Sequence, residues 1–334
     1  MQRKILITDY AWKSLEPEQE ILRSAGASLI VAQTGLEDEL ADLAADADGI
    51  LTNWKPVTAK TIRQAPKCVS IGRYGIGLDN IDVACATELG IIVTNVPEYC
   101  VDEVSEHAMA LLLSLARKVT FFDRAIKGGT YNLQALTPLY RVKGRTLGIV
   151  GFGKIGRTVY RKAIGFGLRI LVFDPRLSAD TLKGLEVTPV GFEELLGASD
   201  YVSIHAPLTP ETRHLFGYQA FQKMKPAAFV INTSRGGVID SAALLRALDE
   251  GLIAGAALDV LPQEPPAPDD PLILHPKTIV TPHAAFNSEE SLLELQTIAA
   301  RQMADALSGR MPDNIVNREV LRQGNLRASI KVKP

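Results

Sequence analysis

An arginine, a glutamate and a histidine stand apart from the hydrophobic patterning of this chain. Each follows a short apolar run that reads as a strand. Arg235 lies in Asn232-Thr-Ser-Arg-Gly-Gly237 after Ala228 to Ile231, Glu264 in Leu261-Pro-Gln-Glu264 after Ala254 to Val260, and His283 in Thr281-Pro-His283 after Thr278 to Val280. Open α/β sheets bind ligands beyond the carboxyl ends of their strands, so three such loops are expected to converge on one site. A guanidinium there can grip a carboxylate through two parallel hydrogen bonds. A histidine held by a glutamate can give or take a proton near neutral pH. Taken singly, Arg235 reads equally well as a surface ion-pair partner and His283 as a turn residue. The joint reading rests on a nucleotide signature upstream.

That signature is Gly148-Ile-Val-Gly-Phe-Gly-Lys-Ile-Gly156, where a strand from Thr146 to Val150 runs through a glycine-rich turn into a helix. Gly151 allows a sharp turn, Gly153 removes a side chain that would hold the backbone away from a pyrophosphate, and Gly156 lets helix and strand lie close. The helix start offers free N–H groups to phosphate. A second strand, Leu168 to Phe173, ends in Asp174, 18 residues after Gly156. A carboxylate at about that offset accepts from both ribose hydroxyls and repels a 2′-phosphate, which favours NAD over NADP. Arg176 nearby works against that preference. His205-Ala206-Pro207 follows the strand Tyr201 to Ile204 and reads as a wall of the adenosine pocket, with a second proton donor as the alternative. His107, beside Glu106, reads as a packed or interface histidine, with a catalytic role as the alternative, and His214 and His275 read as structural.

Composition bounds the answer. The 334 residues exceed a usual single core, so two domains are expected. With 46% apolar and 22% charged residues and a net charge of −2, nothing draws the whole chain to nucleic acid or anionic lipid. Cys68, Cys85 and Cys100 form no CxxC pair, so neither a disulfide framework nor a metal site is indicated, and a reduced, cytoplasmic setting is expected. The longest apolar stretch, Ala108 to Ala116, is too short to span a bilayer. The chain reads as soluble and unprocessed.

The elements that must position these groups alternate. Lys4 to Thr8, Ser28 to Ala32, Gly49 to Thr52, Val69 to Gly72 and Ile91 to Thr94 read as strands, separated by amphipathic helical stretches near Pro17 to Ala25, Glu37 to Ala45, Thr58 to Ala65 and Val83 to Leu89. Residues 145 to 283 alternate likewise. The expected class is α/β, with two doubly wound parallel-sheet domains. Val101 to Lys118 reads as a long helix, apolar almost all round, which suggests burial on more than one side and a place in a dimer interface. A last helix, Ser288 to Leu307, is expected to pack back on the first domain. That makes residues 1 to 98 and 287 to 334 one discontinuous substrate domain, with the NAD-binding Rossmann domain, 99 to 286, inserted. The tail from Leu321, with Arg322, Arg327, Lys331 and Lys333, reads as loosely held.

GFGKIG with Asp174, HAPLTPET from His205, KMKPAAFVINTSRGGVID from Lys223, and the separated Arg235, Glu264 and His283 together resemble the D-isomer-specific 2-hydroxyacid dehydrogenases along essentially the whole chain. RYGIGLDNID from Arg73 and TPHAAFNSEES from Thr281 look most like the branch of the C-terminal-binding proteins, NAD-binding corepressors. Phosphoglycerate dehydrogenase is similar too, although the C-terminal regulatory extension of its common long form is not seen. The resemblance implies a flavodoxin-like substrate domain and catalysis by Arg235, Glu264 and His283. It implies NAD contacts from Lys154, Ile155, Asp174, Thr212, Thr233, Ser234 and Asp259, beside Arg235, His283 and the wall His205, Ala206 and Pro207. It also implies a substrate loop of Arg73, Tyr74, Gly75, Ile76 and Gly77, and a homodimer joined through the cofactor domain. Phe286 stands where the corepressors have Trp, in a pocket expected to include Ile76, Tyr99 and Cys100. The expected activity is interconversion of a 2-keto acid and a D-2-hydroxy acid, of the glyoxylate/hydroxypyruvate-reductase or phosphoglycerate-dehydrogenase kind. The alternative is an NAD-sensing corepressor. If Asp174 sets the cofactor preference, Asp174→Ala narrows the NAD-over-NADP ratio of kcat/KM by about 1 to 2 kcal/mol. Equal kcat/KM for the two cofactors in the native protein would instead make Arg176 the dominant group.

Overall fold

The computed structural model describes residues 2–136 and 138–330, apart from the side chains of 135, 179 and 181. Lys331 and Lys333 of the basic tail lie outside the described residues. The chain divides into two compact units, one of Met1–Tyr99 with Ser288–Pro334 and one of Cys100–Asn287.

The first unit carries β1 (Arg3–Ile7), β2 (Ala27–Val31), β3 (Gly49–Thr52), β4 (Ser70–Arg73) and β5 (Ile92–Thr94), all parallel, in the order β2-β1-β3-β4-β5. This is the flavodoxin-like order, with its switch between β1 and β3. Helices α1 (Glu16–Ser24), α2 (Glu37–Ala44), α3 (Ala59–Arg63) and α4 (Val83–Glu88) connect the strands. The C-terminal helix Glu289–Leu307 opens on a reciprocal cap, in which Ser288 Oγ accepts from Ser291 N–H and Ser291 Oγ accepts from Ser288 N–H. Its buried Leu295, Ala299, Ala300 and Met303 pack against α1 and β3 to β5, which makes the unit discontinuous in sequence.

Beyond this helix the loosely held tail does not materialise. Val320, Ala328 and Ile330 are buried with Ile92 and Ile315, and Arg327 donates to the carbonyls of Ala65 and Cys68. Sparse apolar residues suffice because hydrogen bonds fix the segment. Asn317, 1% exposed, accepts from Val93 N–H and donates to Ile91 O and Thr87 Oγ1.

The second unit carries β6 (Thr146–Val150), β7 (Arg169–Phe173), β8 (Thr188–Pro189), β9 (Tyr201–Ile204), β10 (Phe229–Asn232), β11 (Gly255–Leu258) and β12 (Thr278–Val280), parallel and ordered β12-β11-β10-β9-β6-β7-β8. Apolar layers cover both faces, one around Phe216, Phe221 and Leu244, the other around Leu112, Ile149 and Val159. The latter includes α5 (Val101–Arg117), which packs against β10, β11 and α7 (Lys154–Ile164). The apolar surround of α5 is therefore covered within its own unit, which corrects the inference that it needs a partner chain for cover. Lys118, with φ of 54°, ends α5 and starts α6 (Val119–Lys127), a helix with no buried residue that the sequence reading left unassigned. The apolar side chains exposed here are Val119 and Ile126, with Tyr131, Leu133 and Tyr140 beyond.

Among the described residues no helix is long and apolar enough to cross a membrane, and no cluster of His, Cys, Asp or Glu is arranged to hold a metal. Removing the Asn317 amide strands two backbone groups in the interior, so Asn317→Ala should lower unfolding free energy by about 2 to 4 kcal/mol. A denaturant titration showing less than about 0.5 kcal/mol, the range of an ordinary surface site, would restore the loose-tail reading.

Candidate active site

In the second unit the strand order reverses between β6 and β9, and the glycine turn stands at that switch point. Gly151 has φ of +90°, and a Cβ there would lie 2.7 Å from the backbone of His205 and Ala206. The turn is seated by Gly151 N–H on Phe173 O and by His205 N–H on Val150 O. At Gly156 a Cβ would meet Gly151 O at 2.3 Å, whereas at Gly153, the N-cap of α7, nothing lies within 4 Å. The space beside Gly153, facing the start of an 11-residue helix, is the cradle a pyrophosphate needs.

Asp174 Oδ2 accepts from Phe152 N–H and Oδ1 from Arg176 N–H, both at 2.9 Å, which pins the carboxylate against the glycine turn. Each oxygen keeps a further acceptor site for ribose hydroxyls. Thr233 Oγ1 is buried with no hydrogen-bond partner among the described residues, as a hydroxyl reserved for a ligand would be. These residues fit a dinucleotide. Thr212 and Ser234 spend their hydroxyls on loop geometry, the first donating to Pro207 O, the second to Asn232 Oδ1. Lys154 and Ile155 open α7. Burial lowers the pKa of His205 to about 4, and its Nε2 lies 2.8 Å from Ser203 Oγ. A ring neutral at physiological pH suits a pocket wall and not a second proton donor.

The loops after β10, β11 and β12 are locked to one another. Asn232, fully buried, donates to Arg235 O and accepts from Ser234 N–H, closing the arginine loop. Gly236 allows that loop to touch the next, since a Cβ would sit 2.1 Å from the Leu261 carbonyl carbon. On the second loop Glu264 Oε1 accepts from Leu261 N–H at 2.8 Å, and Oε2 meets His283 Nδ1 at 2.6 Å. Burial pushes the Glu264 pKa up, but the His283 hydrogen bond and charge, the Leu261 N–H and the Arg235 charge outweigh it, so the carboxyl sits below its ordinary value. An ionised Glu264 only accepts, which puts a proton on His283 Nδ1.

His283 itself has φ of 52°, and its N–H donates to Asp259 O. Asp259 is 1% exposed, and its carboxylate accepts from Thr281 Oγ1, Ala284 N–H and Ala285 N–H. That carboxylate is turned into the protein, where it holds the histidine loop. His107 Nε2 reaches the same cluster at Thr281 Oγ1, a link that sequence spacing gave no means of finding across 174 positions. Phe286 packs edge-on to the His283 ring, centroids 6.3 Å apart.

The predicted substrate loop lies on the first unit, at the carboxyl end of β4, while Tyr99 and Cys100 are buried. Arg73, 6% exposed, donates to Tyr74 O and Asn53 Oδ1 beneath the Trp54 ring. Tyr74 is 1% exposed and packs edge-on to Trp12 at 4.8 Å, so its ring belongs to the interior and only its backbone, with Gly75, Ile76 and Gly77, can meet a ligand.

The family model for the NAD-binding domain of D-isomer-specific 2-hydroxyacid dehydrogenases matches residues 109–285. A glyoxylate reductase of Korarchaeum cryptofilum is 44% identical over 80% of this chain and 81% of its own length. The chain belongs to the D-isomer-specific 2-hydroxyacid dehydrogenase family. It is an NAD-dependent dehydrogenase. A D-3-phosphoglycerate dehydrogenase of Methanocaldococcus jannaschii is 38% identical over 99% of this chain, which spans 62% of that relative's length. Among solved structures, a glyoxylate reductase from Paecilomyes thermophila superposes with a TM-score of 0.86 at 28% identity, covering 95% of this chain and 99% of that one.

For the dehydrogenase, the depressed His205 pKa has a signed consequence. Unfolding lets the ring regain its ordinary value of 6.5, so its contribution is full above pH 6.5 and is lost as pH falls towards 4. Stability should therefore drop across that window by at most about 3 kcal/mol from this group. Denaturant titrations of His205→Asn should show a flatter dependence over the same window; an unchanged slope would mean that the drop has another source.

Proposed function

We propose that the dehydrogenase reduces a small 2-keto acid, of the glyoxylate or hydroxypyruvate class, to the D-2-hydroxy acid, and runs the reverse, with Arg235, Glu264 and His283 as its catalytic set. The observation that carries this reading is the 2.6 Å contact of His283 Nδ1 with Glu264, on loops joined to that of Arg235. NADH, when bound, supplies the hydride. Arg235 holds the substrate carboxylate through its paired N–H groups and so fixes the carbonyl in line. With Nδ1 engaged by Glu264, proton exchange falls to His283 Nε2, which protonates the forming alkoxide in reduction and removes the same proton in oxidation. Glu264, its carboxyl held below its ordinary pKa, fixes the imidazole through Nδ1 without itself touching substrate.

Phe286 bounds the pocket beside His283, and Asp259 reaches the cofactor only through the loop it holds. The exposed Val119, Ile126, Tyr131, Leu133 and Tyr140 support a homodimer joined through the cofactor domain. A cytoplasmic setting suits a chain whose three cysteines are all buried.

NADH oxidation against glyoxylate, hydroxypyruvate, pyruvate and longer 2-keto acids tests the reading, with turnover near the enzyme median of about 10 per second expected on one of them. No turnover on any would favour the corepressor-type alternative. In Glu264→Gln, which keeps the side chain's shape but loses the ionised acceptor at His283 Nδ1, the reductive kcat should fall about tenfold or more. An unchanged kcat would mean that Glu264 does not govern His283.

A further inference from the structure

The Thr281 hydroxyl has one proton, and its destination fixes the state of a second histidine. Thr281 Oγ1 lies 2.6 Å from Asp259 Oδ1, an atom that can only accept, so the hydroxyl proton is spent there. The hydroxyl oxygen is 3.0 Å from His107 Nε2 and can take part in that contact only as acceptor. His107 Nε2 therefore carries a proton whatever the charge of the ring. The same nitrogen lies 3.5 Å from Asp259 Oδ1.

The chain from His107 ends on the proton-transfer loop. Asp259 brackets His283, its carbonyl accepting from His283 N–H and its carboxylate from Ala284 and Ala285 N–H. Between them His283 is held in a left-handed conformation that a residue with a Cβ adopts only when its surroundings impose it. A buried carboxylate keeps its orientation only while its donors do. His107 supplies the donor that reaches in from α5, outside the loops themselves.

We propose that His107 is a positioning residue for proton transfer, acting through Thr281 and Asp259 on the orientation of His283. This rests on the reading of His283 as the acid and base, so His283→Ala serves as control. The test uses full-length protein, steady-state NADH oxidation with the best keto acid of the panel, and NADH affinity from quenching of protein fluorescence. His107→Phe, which keeps bulk and loses the donor, should lower kcat about tenfold while the keto-acid KM and NADH affinity stay within about twofold. His107→Gln, which places an N–H at similar reach, should recover most of the loss, and His107→Asn, too short, should not. Thr281→Val should reproduce the loss, with little further effect when His107→Phe is added.

The proposal is overturned if His107→Phe keeps native kcat, or if His107→Gln is as impaired as His107→Phe, since the residue would then matter only as packing. Should His107→Phe fail to fold, the Gln and Asn variants decide by the same criterion. An inactive His283→Ala beside a native-like His107→Phe sinks this proposal alone, whereas an active His283→Ala sinks the catalytic reading with it.

Discussion

Asp259 is a carboxylate buried to 1% exposure, and the arrangement of the site follows from what that burial demands. A charge removed from water must be met by donors, and the nearest are the Thr281 hydroxyl and two backbone N–H groups just past His283. Satisfying the charge wraps the loop around it and drives His283 into a left-handed backbone conformation. The imidazole then meets Glu264, whose other oxygen is tied to Leu261 N–H. The orientation of the His283 imidazole is thus set from behind, by a group on the far side of its loop from Glu264.

The same unit brings this loop and the nucleotide turn to one sheet edge because its strand order reverses at β6 and β9. That reversal leaves a gap between diverging connections, which the glycine turn enters and which side chains would block. Gly151 and Gly236 mark two close backbone approaches, one against the loop after β9 and one against the loop after β11. Neither tolerates a Cβ without displacing backbone, so the glycine turn and the loops of Arg235 and Glu264 share one rigid frame.

Much of this was legible in the amino-acid sequence, for identifiable reasons. Buried parallel strands are continuous apolar runs, so Gly49 to Thr52, Thr146 to Val150, Tyr201 to Ile204 and Thr278 to Val280 were located to the residue and the others to within one or two, except the exposed two-residue β8, which has no such run. Arg235, Glu264 and His283 stood out because each is a polar residue in a loop that periodicity does not explain. What escaped was tertiary. The belt of α5 implied cover from a partner chain because a sequence does not say that α7 and the sheet will already cover it. Helix α6 went unassigned although Val119, Phe122 and Ile126 recur at helical spacing, because the run is short and follows α5 with only Lys118 between. The tail read as loose because its anchors are the Asn317 amide and the Arg327 guanidinium, polar groups whose partners lie more than 200 positions away. Asp259 and His107 were visible as residues, but their joint role depends on a contact that local patterning does not encode.

The central claim is that the Arg235, Glu264 and His283 loops form one acid/base site for a 2-keto acid. A crystal structure of the dehydrogenase with NADH and oxamate, a stable analogue of such acids, tests it most directly. The account predicts the oxamate carboxylate paired with the Arg235 guanidinium, its carbonyl oxygen about 2.6 to 3.2 Å from His283 Nε2, and the Glu264 contact at Nδ1 retained. Oxamate bound away from Arg235, with His283 turned from the carbonyl, would contradict it.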